Sequence, residues 1–377
     1  MECLSEANTQ FSLNLFKNIN EGNPSKNVFY SPISISFALA MVSLGAKGNT
    51  AAQIFKVLGF TNPPTHCETP VTDVSMDQIH SGFNKLMSEL NKPGAPYVLS
   101  LANRLYAEQS YQFAEKFLND TKKYYEAKLE EVDFKMNSEA ARVDINNWIK
   151  DLLQKGDIDA LTKLVLVNAI YFKGELGEEI SKVVICAFQA QTKPVKMMNQ
   201  KAEFPLALIP EMDSKVLELP YAGKNLRMLI ILPNKIQDET TGLQKLEKAL
   251  TYEKLMEWTK PSMMHRQEVQ VSLPRFKMEE SYDMKSLLIS MGMEDVFSPQ
   301  KVNLSGMSPN NDLVVSKVIH KSFVEVNEEG TEAAAATAII LESATIPEAF
   351  IADHPFLFLI QHTPSKNILF YGRFCSP

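Results

Sequence analysis

A chain of 377 residues with 45% hydrophobic residues is long enough to bury a large core. Its net charge of −7 argues against nucleic acid or an anionic membrane as the main partner. No Pro/Gly/Ser-rich linker or charge block divides it, so residues 1–377 are expected to form one domain.

In chain order, Leu4, Ala7, Phe11 and Leu15 share one face of a predicted helix. Ser31-Pro32 starts the next: the Ser can cap it, and Pro suits the first turn. That helix ends near Gly45. Thr50 with Gln53 predicts a capping box for a third helix, which Gly59 can close. Ala141, Ile145, Trp148 and Leu152 form a further apolar stripe. From Leu164 onward strand signals dominate. Val216–Leu219 and Leu226–Leu232 flank Ala222-Gly223-Lys224-Asn225, a hairpin signal. Glu268–Leu273 alternates apolar and polar residues, and Pro364-Ser365 lies between two further strands. Helices first and strands later, without regular βα alternation, predict an α+β fold.

The N-terminus Met1-Glu2-Cys3-Leu4-Ser5-Glu6 has neither a basic region nor an apolar run, so it does not read as a signal peptide. Ile33–Leu44 is too short, and too broken by Ser, to span a bilayer. Cys3, Cys67, Cys186 and Cys375 make no CxxC pair, and six scattered histidines make no HExxH. Free thiols in a reducing compartment, no metal and no cofactor are expected. In such a cytoplasmic protein the sequons at Asn119 and Asn303 would go unused. There is no G-x-S-x-G elbow, Walker A loop or dinucleotide fingerprint. A hydrolase of unrecognised type stands as the cross-class alternative.

One stretch fits neither an ordinary strand nor an ordinary loop: Glu328-Glu329-Gly330-Thr331-Glu332-Ala333-Ala334-Ala335-Ala336-Thr337. By propensity alone it reads as an Ala-rich helix. As a strand, its uncharged face carries Thr331, Ala333, Ala335, Thr337, Ile339 and Leu341, and its other face has acids at both ends. Such small side chains lose little entropy and can enter a packed sheet without crowding it.

The flanking residues decide between these readings. Phe323-Val324-Glu325-Val326-Asn327 followed by that stretch resembles the hinge of an inhibitory serpin. Asp353-His354-Pro355-Phe356-Leu357-Phe358 and Leu369-Phe370-Tyr371-Gly372-Arg373-Phe374 resemble the serpin strands after the reactive loop. Upstream, Asn27-Val28-Phe29-Tyr30-Ser31-Pro32-Ile33-Ser34 and Leu166-Val167-Asn168-Ala169-Ile170-Tyr171-Phe172-Lys173-Gly174 also match. The matches run in order from the first helix to the last residue. The ending Cys375-Ser376-Pro377 resembles the ovalbumin-type, intracellular branch (clade B), and within it the group of leukocyte elastase inhibitors.

The resemblance implies a serpin fold: helices on a large central sheet plus two smaller sheets, with an exposed reactive-centre loop over 328–353. It implies a serine protease inhibitor rather than an enzyme, acting by suicide trapping. Counted by the family's spacing from Glu328, the reactive bond is Ala344–Thr345. Ala there suits an elastase-like protease, whereas Leu341 as the site would suit a chymotrypsin-like one. Ser31, Ser34, Asn168 and His320 match the family's shutter; without the family, Ser31 reads as a helix cap and His320 as a core histidine. The partner is expected to be a serine protease met by a monomer. Lys122-Lys123 reads as solvated surface charge rather than a glycosaminoglycan site.

Three departures from the family pattern stand out. About two helical turns are missing after Asn146-Asn147-Trp148, in the helix that lies across the main sheet. The Trp that usually follows Lys173-Gly174 is replaced by Glu175-Leu176-Gly177, a loss of roughly 3–5 kcal/mol where uncompensated. The loop after Ala344 is a residue or two short. These departures open the alternative of a non-inhibitory or substrate-type serpin.

Overall fold

The computed structural model describes residues 2–60, 76–150, 152–174, 182–188, 193–236, 238, 241–310, 312–327 and 347–377. Nine helices are formed among them: α1 (Glu2–Gly22), α2 (Pro32–Ser43), α3 (Gly48–Val57), α4 (Met76–Leu90), α5 (Glu115–Tyr125), α6 (Phe134–Trp148), α7 (Gln244–Ala249), α8 (Tyr252–Thr259) and α9 (Lys285–Ser290). The strands are β1 (Val28–Tyr30), β2 (Tyr97–Glu108), β3 (Lys128–Val132), β4 (Leu164–Gly174), β5 (Lys182–Phe188), β6 (Lys193–Ile209), β7 (Ser214–Pro220), β8 (Leu226–Pro233), β9 (His265–Pro274), β10 (Phe276–Asp283), β11 (Val315–Val326), β12 (Glu348–Ile351), β13 (Phe356–His362) and β14 (Ile368–Phe374). No described helix is long and apolar enough to cross a membrane.

The described strands form two sheets. One has five strands in the order β10-β11-β4-β2-β3, and the other has nine. The family resemblance implied a large central sheet and two smaller ones. The nine-stranded sheet replaces the latter two because β6 belongs to both: Met197–Leu206 pair with β9, and Leu206–Ile209 pair with β7. Seventeen residues are long enough to serve two neighbours in succession.

The main core lies between the sheets and includes α2, which is buried on every side despite its serines. Phe29 stacks on Phe370 (5.2 Å) and on Phe358 (5.9 Å), joining β1, β13 and β14. Gly372 stands where a Cβ would lie 2.3 Å from the Phe358 ring, so only glycine admits that ring.

A second cluster lies on the other face of the five-stranded sheet. Phe134, Ala141 and Ile145 of α6 cover Tyr106 of β2, Val165 and Val167 of β4 and Ile319 of β11. This cover explains the burial of β4. Leu164 to Asn168 are buried on both faces, whereas from Ala169 onward the outward residues open to solvent. Leu152 lies beyond the end of α6 but packs into the same cluster, so the apolar stripe outruns the helix.

The predicted capping box does not form. α3 starts at Gly48 without a side-chain cap. The Thr50 hydroxyl instead accepts from the Asn303 amide (2.9 Å), and the Gln53 carbonyl accepts from the amides of Glu294 and Asp295 (3.0 and 2.8 Å). Those amides lie in a segment more than 200 residues away, which a local pattern does not report. The Ser31 cap and the Gly223 hairpin form as the residues predict.

Candidate functional site

β4 and β11 are adjacent and parallel, in continuous register from Val165/Lys317 to Lys173/Glu325, with a bulge between Val315 and Lys317. Each has an antiparallel neighbour on its other side, β2 and β10. β11 ends at Val326, next to the stretch that begins at Glu328. A chain that turned back there would run antiparallel to both strands of the seam. Glu328 to Thr337, Ala344 and Thr345 lie outside the described residues, as does Glu175-Leu176-Gly177. The chain is described again from residue 347, and Glu348 of β12 pairs with Lys215 at 2.5 Å.

Beneath the seam, on its core face, Ser31, Ser34, Asn168 and His320 come together. His320 and Asn168 are register partners across it. The Ser31 amide donates to His320 Nε2 (3.0 Å), so that nitrogen carries no proton. The proton is therefore on Nδ1, which donates to Asn168 Oδ1 (2.5 Å). The Ser34 hydroxyl donates to the same oxygen (2.8 Å). The Asn168 amide donates to the Ser34 carbonyl (3.2 Å) and to the Asn103 side-chain carbonyl. One asparagine thus ties β4 to β11, β2 and α2. Burial depresses the His320 pKa to about 3 and keeps the ring neutral at physiological pH.

Two polar residues of this cluster escape a pattern reading. Asn103 sits on β2, whose other core-side positions are Tyr97, Leu99, Leu101 and Leu105. A polar residue in that phase of the alternation is the signal that marks it. Ser322 of β11 donates to the Phe29 carbonyl at 2.9 Å and so fastens β11 to β1. Among the described residues no group of three or more His, Cys, Asp or Glu is placed to hold a metal. Cys375 is a free, buried thiol whose pKa burial raises to about 11, so it is inert at neutral pH.

Residues 6–377 match the serpin (serine protease inhibitor) family. The chain is 53% identical to the leukocyte elastase inhibitor of the horse, Equus caballus, over the whole length of both. That alignment needs 392 positions for 377 residues, so this chain carries gaps relative to its relative. Among solved structures, uncleaved ovalbumin superimposes with a TM-score of 0.90 at 37% identity, covering 99% of this chain and 100% of that one. A loop-inserted form of a cleaved ovalbumin mutant superimposes at 0.86 and 36%, with the same coverage. With the family matched across nearly its whole length and the fold shared with ovalbumin, the chain belongs to the serpin family, in the ovalbumin-type branch, clade B.

Proposed function

We propose that this serpin inhibits serine proteases by suicide trapping, with Ala344–Thr345 as the bait bond and an elastase-like enzyme as the preferred target. The protease serine Oγ attacks the Ala344 carbonyl carbon. The bond to the Thr345 nitrogen breaks, that nitrogen leaves as a protonated amine, and Ala344 remains as an ester on the protease. The freed hinge, Glu328 to Thr337, then enters between β4 and β11. One parallel ladder is exchanged for two antiparallel ladders, and the added strand's backbone hydrogen bonds and buried area drive the step. The ester is carried along and its hydrolysis prevented. Ser31, Ser34, Asn168 and His320 act as the shutter: the His320–Asn168 bond spans the gap that must open.

The observation that carries this reading is the parallel contact of β4 with β11, beside the place where the hinge begins. A six-stranded sheet would have the two strands apart. The reading extends to a monomer that works in the cytoplasm and reaches extracellular proteases after unconventional release.

The shortened helix favours a second reading, a substrate-type serpin. Among the described residues, α6 packs on the seam at Val165, Val167 and Ile319 and does not reach its upper part. Incubation with neutrophil elastase and a denaturing gel separates the two. A band at the summed mass that survives boiling supports the trap. Cleavage at Ala344 without that band supports the substrate reading.

A further inference from the structure

Above the part of the seam that α6 covers, two aromatic rings face each other on the outer side of the sheet. Tyr171 of β4 and Phe323 of β11 are register partners, their centroids 5.0 Å apart and their planes 6° from parallel. Tyr171 is 36% exposed and Phe323 half-buried, so none of the described helices covers the pair. A separation of 5.0 Å is close to one strand spacing, so the stack exists only while β4 and β11 are neighbours. An inserted strand would set them two spacings apart, on the order of 9.5 Å, beyond ring contact.

The pair also lies near the end of the seam where opening must begin. β11 leads into the hinge after Val326, and only two register pairs, Glu325/Lys173 and Val324/Phe172, precede Phe323/Tyr171 from that end. Two neighbouring charges are anchored on β10: Glu325 pairs with Lys277 (2.9 Å) and Lys321 with Glu279 (2.8 Å). Glu325 is also drawn to Lys173 across the seam, and Lys321 donates to the Lys150 carbonyl beyond α6 (3.0 Å). The two ion pairs to β10 hold β11 to that strand, and opening the seam leaves them intact. The ring pair spans the gap itself.

We infer that Tyr171 and Phe323 form an aromatic clasp that restrains strand insertion and thereby sets how the trapping reaction divides between inhibition and substrate turnover. This rests on the insertion reading above. The clasp holds the upper seam, where α6 does not reach, as the His320–Asn168 bond holds it from the core side. Tyr171 and Phe323 are positioning residues and touch no protease.

The test uses the full chain and needs no protease. A labelled, N-acetylated peptide copying residues 331–341 is offered to the protein, and its uptake is followed by gel filtration and native gel. Tyr171→Ala and Phe323→Ala are each expected to speed uptake about 2- to 12-fold, the worth of one ring pair. The double variant is expected to be no faster than the faster single one. Tyr171→Phe, which keeps the ring, is expected to match the wild type. Should the Ala variants fail to fold, Tyr171→Leu and Phe323→Leu carry the same expectation. Loss of mere packing would lower the thermal midpoint without speeding uptake. Unchanged or slower uptake in the variants, or two single effects that multiply in the double, overturns the clasp. A wild type that takes up no peptide overturns the insertion reading itself, and the clasp with it.

Discussion

His320 of β11 donates from Nδ1 to Asn168 Oδ1 of β4 at 2.5 Å, across the parallel contact between two strands that are each antiparallel to their other neighbour. This bond lies wholly in the interior, and the same asparagine also holds Ser34 and Asn103. In the trapping reaction proposed above, strand insertion breaks this hydrogen bond.

Replacing Asn168 by Ala removes the acceptor shared by His320 and Ser34 and the donor that serves Asn103. Each buried group left alone costs about 1–3 kcal/mol. The expected outcome is a loss of roughly 2–4 kcal/mol, read as a lower urea midpoint. Uptake of the hinge peptide should also quicken, because the tie across the seam is gone.

Stability should fall in acid with a slope that His320 helps set. Its folded pKa is depressed to about 3, and that of His80 to about 4, both chiefly by burial, while an unfolded histidine titrates near its ordinary value of about 6.5. Below 6.5 the unfolded chain binds protons that the folded chain refuses, so acid favours unfolding. The loss from His320 runs from about pH 6.5 down to about pH 3 and amounts to roughly 1 kcal/mol per pH unit. Urea midpoints at pH 7, 5 and 4 check it. His320→Gln should flatten the slope by that amount.

Arg373 is fully buried and bonds Glu247 (2.9 Å), Asn20 (2.5 Å) and the carbonyls of Asn23 and Lys26 (2.5 and 3.0 Å). It fastens α1 and α7 to β14. Arg373→Met leaves the Glu247 carboxylate buried without its partner. The expected loss is about 3–5 kcal/mol by urea denaturation. Adding Glu247→Gln should restore part of it, because no uncompensated charge then remains.

The reactive-bond assignment is tested by changing specificity. Ala344→Arg should abolish the detergent-stable complex with elastase and create one with trypsin, whose specificity pocket holds an acid. Denaturing gels with each protease read the result. Persistence of the elastase complex would move the bond elsewhere, with Leu341 the next position to change.

Much of the molecule was legible in its residues. The α1 face Leu4, Ala7, Phe11 and Leu15 is buried, Ser31 caps α2, and Gly223 makes its hairpin, since each depends on neighbours a few residues away. β2 was missed although Tyr97, Leu99, Leu101 and Leu105 alternate toward the core; Asn103 broke the pattern at the position the cluster needs. Thr50 and Gln53 had the spacing of a cap but serve a loop more than 200 residues away.

The sequence by itself determined the family, the helical and strand patterns that build its layers, and four polar residues worth tracking. Local periodicity and in-order motifs carry that information. Only the tertiary structure decided that β4 and β11 touch in parallel, that β6 joins two sheets into one, and that Asn168 meets His320, Ser34 and Asn103 at one point. It also decided that Tyr171 and Phe323 stack across the seam. These are contacts between residues roughly 60 to 150 positions apart. Strand order and register create them by setting which side chains lie opposite each other, and no short-range pattern encodes that choice.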